Sequence, residues 1–187
     1  MELEDRRVRK TKRQIRTAIT SLLLEKDASH ITVRDVSETA DINRGTFYSH
    51  YRDVDDLLGQ LEDELLHHID EVGARTAAHR NETTQRGYLT DLFTVIGEYS
   101  DIFYSLYCRS GNTDFQDRVF SKLKYQYLYD YLARTCGGET SYLDYYADFF
   151  VAGTCTLLRT WIESGMMEKP EELAEIARSI VLGKGKK

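Results

Sequence analysis

Apolar residues recur along the chain at three- and four-residue intervals, over segments longer than strands usually run, and this periodicity predicts helix almost throughout. Ile15, Ala18, Ile19, Leu22 and Leu23 give one apolar face to a first helix over about Arg7–Lys26. Val54, Leu57, Leu58, Leu61, Leu65, Ile69 and Val72 do the same for a long helix that Asp53 is placed to cap. The polar stretch "AAHRNETTQRG" then reads as a loop or a frayed continuation of that helix. Further helices are expected over Tyr88–Tyr99, Asp101–Arg109 and Phe115–Arg134, the last ended by Gly137 and Gly138. Ser141–Glu163 follows, apolar around most of its surface, and then Glu171–Leu182, with Pro170 suited to a first helical turn. Pro170 is the single proline of the 187 residues, which agrees with an all-α fold.

Between the first helix and the long one lies "TVRDVSETADINRGTFYSHY", Thr32 to Tyr51. It divides into two blocks, each too short to be a stable helix alone. Thr32 can cap the first, with Asp35 three residues on in a shortened relative of the capping box, and Val33, Val36 and Ala40 give that block an inner face. Asp41 tolerates the left-handed backbone of a tight turn, and Asn43 is a good cap for a second block over Arg44–His50. With Ser37 small at the crossing, Ile42 filling the turn and Phe47 inward, the arrangement fits a helix-turn-helix. Asn43, Arg44, Thr46 and Tyr48 then point outward, with His50 and Tyr51 at the end. Gly45 disfavours helix by roughly 1 kcal/mol, so its place near the start of the second block asks for a reason; close approach of the backbone to DNA is one.

Charge adds to this picture. The chain carries a net −6, but Arg6–Arg52 holds eleven Lys/Arg against five Asp/Glu, a balance of +6 on an otherwise acidic chain. A basic N-terminal quarter fits a polyanion partner at one end, and a solvated basic helix would have the same composition. No apolar run approaches the roughly 20 residues that span a membrane, and no apolar segment follows the basic N-terminus, so a cytoplasmic protein is expected. Cys108, Cys136 and Cys155 are far apart and odd in number, which fits reduced thiols. His67 and His68 read as surface or packing residues, with no cofactor or metal expected. No nucleophile–base pair at a known spacing and no Gly-rich phosphate loop is present, so no enzyme is expected.

"ITVRDVSETADINRGTFYSHYRDVDDLL" resembles the DNA-binding signature of the TetR (TetR/AcrR) transcriptional regulators, and the resemblance covers about Arg13–Leu66. It implies an all-α chain with an N-terminal three-helix helix-turn-helix domain, 1–53, and a C-terminal helical effector-binding and dimerisation bundle, 54–187, joined by the helix over 54–75. Carried over by position, Arg44 and Thr46 resemble base-contacting residues, while Tyr48, His50 and Tyr51 resemble residues that grip phosphate or close the helix. Thr32 resembles a backbone-phosphate contact. Asn43, Gly45, Arg34, Arg52 and Arg13 complete the expected DNA face, with the basic segment Arg6–Arg16 in reach of a phosphate or the minor groove. Tyr51 fits equally well beneath the following helix, and Arg34 and Arg52 fit equally well as solvated side chains.

This sequence departs from the family pattern at three places. Asp41 stands where glycine is usual, Ser37 where alanine is usual, and Val54 where a lysine commonly contacts phosphate, a role Arg52 can take over. The C-terminal half resembles the family less. Its aromatic density offers Phe93, Tyr99, Phe103, Tyr107, Tyr127, Tyr131 and Phe150 as effector-pocket candidates, residues that at helical spacing also suit a plain core. Tyr146, Phe149, Gly153, Leu157 and Trp161, with Leu173, Ile176 and Ile180 of the last helix, are the expected dimer face. The function so implied is a dimeric, sequence-specific regulator of a near-palindromic double-stranded DNA operator, most simply a repressor released by a small-molecule effector. A member controlled by a partner protein, or an activator, is the alternative.

Overall fold

The computed structural model describes residues 2–78, 82–125 and 142–181, with side chains over 6–75, 87–125 and 142–180. The described residues contain helices and turns and no strand. The chain divides into two compact units: Met1–Leu65 with Asp101–Asn112, and Leu66–Ser100 with Thr113–Lys187.

The first unit is built on α1 (Glu2–Glu25), α2 (Val33–Thr39), α3 (Arg44–Tyr48) and the start of α4 (Val54–Ala78). Alpha1 starts earlier than its apolar stripe predicts, because the basic residues ahead of Thr11 continue the helix with their side chains in solvent. The stripe itself closes the core: Ile15, Ile19, Val36, Phe47 and Leu57 are fully buried. Burial of that set supplies what α2 and α3 lack in length. Asp53 starts α4 as expected, its Oδ1 accepting the Asp56 amide at 2.7 Å.

Segment 101–112 lies in the sequence among the residues expected to form the C-terminal bundle, yet it is gathered into the first unit. It opens in α6 (Ser100–Ile102), which winds on as a π-helix over Phe103–Arg109. Ile102, Phe103 and Leu106 are buried, and the π-helix packs against α1. A π-helix is rarely used and clusters at functional places.

In the second unit, α5 (Glu82–Glu98), α7 (Thr113–Leu123), α8 (Leu143–Glu163) and α9 (Pro170–Val181) join the later turns of α4. The long helix expected over Phe115–Arg134 is observed as α7, with π winding at Lys124 and Tyr125; its remainder lies outside the described residues, as do Cys136 and the expected break at Gly137 and Gly138. Alpha9 packs on α5, and α5 and α7 pack on α8. Leu92, Phe93, Phe115, Val119, Ala147 and Leu158 form the core. Lys124 is buried, and its ammonium bridges Asp144 at 3.1 Å and Asp148 at 2.6 Å, so a charge that would otherwise be costly to desolvate ties the end of α7 to α8. Between α8 and α9 the turn passes through positive φ at Gly165 and Met166, and the Trp161 indole N–H donates to the Glu168 carbonyl at 2.9 Å.

Candidate nucleic-acid interface

Local hydrogen bonds set the geometry of the α2–α3 motif. The Thr32 hydroxyl accepts the Asp35 amide at 3.2 Å while the Asp35 carboxylate accepts the Thr32 amide at 2.8 Å, a complete capping box with aspartate in the usual glutamate place. These bonds, the backbone one first, and the Lys26 ammonium at 3.0 Å hold the Asp35 carboxyl down at about 2. The turn is left-handed at Asp41, φ 52°. Asn43 then caps α3, its Oδ1 accepting the Thr46 amide at 2.7 Å and the Thr46 hydroxyl at 3.0 Å.

Alpha3 thus has a buried side and a free side. Phe47 is fully buried, with Tyr51 against it at 5.7 Å between ring centres. Asn43, Arg44, Gly45 and Tyr48 are exposed and Thr46 is half-buried. Arg44 has no ion-pair partner among the described residues, so its guanidinium is available to an external acceptor. Tyr48 stands edge-on to Phe47, which aims its ring outward while its base is supported. Gly45 acquires a reason beyond DNA approach: a Cβ there would lie 3.2 Å from the capping oxygen of Asn43.

The other DNA-face candidates are placed as follows. Tyr51 is only 6% exposed, and burial pushes its hydroxyl pKa up; of its two sequence readings, the packing one describes its position. His50 is half-buried beside it. Arg34 is drawn along α2 to Glu38 at 2.7 Å. Arg52 is exposed with its guanidinium 3.5 Å from Asp56, whose carboxyl is lowered chiefly by the Arg52 backbone amide. Arg13 is exposed on α1. Lys12, which the sequence did not single out, stands with its ammonium 6.0 Å from the Tyr51 ring centre and so brings α1 charge beside the end of α3. Val54 is buried as the first residue of α4, and does not face solvent as a phosphate contact must.

The effector candidates divide between the units. In the first, Phe103 is fully buried and stacks on half-buried Tyr107 at 4.8 Å. In the second, Phe93 is fully buried, Phe150 is half-buried, and half-buried Tyr99 bonds His68 Nε2 through its hydroxyl at 2.6 Å. Tyr127 and Tyr131 lie outside the described residues. His68 is more than a packing residue: Nδ1 is 3.0 Å from Glu71, and His67 Nε2 is 3.6 Å from the same carboxylate. Glu71 stands at helical spacing from both histidines, a relation the apolar pattern does not bring out. The described residues hold no group of three metal-ligating side chains.

Of the expected dimer-face residues, Tyr146, Phe149, Gly153, Ile176 and Ile180 are exposed, Phe149 by 77%, and Leu157 is half-buried. Trp161 and Leu173 are covered by their own chain: Trp161 lies against Gly97 of α5, and Leu173 is 2% exposed.

Comparison with known proteins agrees with this geometry. The TetR C-terminal family described as "Transcriptional regulator C-terminal region" matches residues 83–183, more than half of the chain. No curated protein matches the sequence. Among solved structures, the TetR transcriptional regulator from Streptococcus agalactiae 2603V is similar at 29% identity and TM-score 0.60, over 96% of this chain and 98% of that one. A TetR-like transcriptional regulator from Rhodococcus sp. RHA1 shares the fold at 16% identity and TM-score 0.70, over 95% and 97%. The transcriptional regulator FadR from Bacillus subtilis, solved in complex with stearoyl-CoA, shares it at 12% identity and TM-score 0.66, over 92% and 98%. No described helix is long and apolar enough to cross a membrane. The capped α2–α3 motif with Arg44 and Tyr48 outward, the all-helical second unit, the family match and the solved relatives converge: this chain belongs to the TetR family of transcriptional regulators.

Proposed function

We propose that this protein is a homodimeric repressor that reads a near-palindromic operator through α3 and leaves it when a small molecule occupies its helical body. The observation that carries the DNA part is the division of α3, with Phe47 fully buried and Arg44, Gly45 and Tyr48 exposed beside it. In that arrangement Arg44 and Thr46 read base edges, and Tyr48, Thr32 and Arg13 contact the backbone. Arg34 and Arg52 reach phosphate only by leaving Glu38 and Asp56. A DNA partner agrees with the cytoplasmic location expected from the sequence.

The dimer proposal rests on Tyr146, Phe149 and Gly153 of α8 with Ile176 and Ile180 of α9, apolar or small residues left in solvent on two helices. Among the described residues no atom lies within 4 Å of where a Cβ on Gly153 would stand, which leaves room for a second copy to approach closely. Two recognition helices about 34–36 Å apart would then meet successive major grooves. For the effector, the stearoyl-CoA bound to FadR supports a small-molecule occupant of the same architecture, and Phe93, Tyr99 and Phe150 are the candidates among the described residues of the second unit. Operator and effector then weaken one another by the same factor. Sequencing of the genomic DNA retained by the purified protein, with sedimentation at micromolar concentration, tests the proposal. A discrete palindromic site and a dimer support it; uniform retention or a monomer contradicts it.

A further inference from the structure

Seven Lys/Arg fall within Arg6–Arg16 with no acidic residue among them, a charge pattern that aims the whole stretch at DNA. Arg16 is engaged elsewhere. Its guanidinium forks onto Asp101, Nε to Oδ2 at 2.9 Å and Nη2 to Oδ1, and its Nη1 lies 3.8 Å from Glu64 of α4. A two-pronged arginine–carboxylate pair fixes direction as well as distance, which a single-point surface pair does not. Asp101 opens the one described stretch that returns to the first unit, and the far end of that stretch is tied as well: Asn112 Nδ2 donates to the buried Glu62 at 2.8 Å. Between the two ties the chain has π winding, with Ile102, Phe103 and Leu106 buried and the Ser105 hydroxyl donating to the Asp101 carbonyl at 2.6 Å. The backbone joins this stretch to α5 on one side and α7 on the other.

We infer that Arg16 and Asp101 are positioning residues for operator binding: their ion pair holds α1, on which the helix-turn-helix is packed, to the 101–112 segment, and Arg16 does not contact DNA phosphate. The inference rests on the DNA-binding function proposed above. With the pair intact, α1 is fixed before DNA arrives. Without it, α1 has more freedom to lose on binding, and affinity falls.

The test measures the dissociation constant of an operator fragment, recovered from genomic DNA by the wild-type protein, at several salt concentrations. Arg16→Ala and Asp101→Ala are expected to weaken binding about fivefold each, at the low end of ordinary coupling between sites, with the wild-type salt slope. The charge-exchanged protein, Arg16→Asp with Asp101→Arg, returns to within about twofold, since the same pair is remade. Arg13→Ala, the phosphate control, lowers the slope by about 0.9 for each phosphate that the arginine neutralises. Thermal melts accompany each variant. Should Arg16→Ala unfold, Arg16→Lys, which keeps the charge and loses the fork, takes its place with the same expected weakening. Wild-type affinity in the single variants, a reduced salt slope for the Arg16 variant, or an exchanged pair that does not recover overturns the inference. A wild-type protein that recovers no fragment overturns the DNA-binding function along with it, and is recognised because the failure then lies in the wild type.

Discussion

Asn43 holds Thr46 by two bonds to one atom: its Oδ1 accepts both the amide and the hydroxyl of Thr46. The cap therefore orients a proposed base-reading residue as well as starting the helix. Asn43→Ala is expected to lower stability by about 1 kcal/mol, the usual loss for a removed cap, and to weaken operator binding further by freeing Thr46. Asn43→Asp, which keeps the accepting oxygen, retains most of the stability. Urea unfolding of both variants checks this, and equal losses would contradict it.

Asp35 gives the first unit an acid sensitivity of known sign. Its carboxyl lies below its ordinary value, so the charged form stabilises the fold; that contribution is complete above about 3.8 and is lost as pH falls toward about 2. The melting temperature of the wild type should fall across that window by more than that of Asp35→Asn, which has no charge to lose. Parallel profiles for the two proteins would argue against the capping box as the source.

Ser37 is buried at the α2–α3 crossing, and its hydroxyl has no hydrogen-bond partner among the described residues. Serine there carries a desolvation cost that alanine avoids. Ser37→Ala is expected to leave stability unchanged or to raise it by about 1 kcal/mol. Differential scanning calorimetry measures it, and a loss of similar size would mean that the hydroxyl is satisfied.

Gly97 and Trp161 meet so closely that a Cβ on the glycine would stand 3.1 Å from the indole Cη2. The Trp161 N–H is committed to the Glu168 carbonyl, so the ring has little freedom to retreat. Gly97→Ala should destabilise the second unit by about 1–3 kcal/mol despite the better helix propensity of alanine. Stabilisation in a thermal melt would show that the indole moves aside.

Features governed by neighbours in sequence are legible without the structure. The Thr32–Asp35 box, the left-handed Asp41, the Asn43 and Asp53 caps and Pro170 in the first turn of α9 are all set within three or four residues. The Glu71 pairing with His67 and His68 has the same short spacing, but reading the histidines as surface or packing residues passes over it. Arg16 and Asp101 are 85 residues apart, and Glu62 and Asn112 are 50 apart, so no local pattern joins them. Apolar periodicity says that a residue is covered but not by what. Trp161 and Leu173 therefore look like partner-facing residues in the sequence although their own unit buries them, and Tyr51 fits a phosphate contact as well as the core.

Whether α3 reads sequence through Arg44 is decided by in vitro selection from a randomised duplex library. The wild type should enrich a near-palindromic site. Arg44→Ala should lose the preference at one base pair in each half-site, at a cost of about 1–3 kcal/mol on the wild-type site, with preferences elsewhere kept. The same preference profile from Arg44→Ala as from the wild type would mean that Arg44 reads no base.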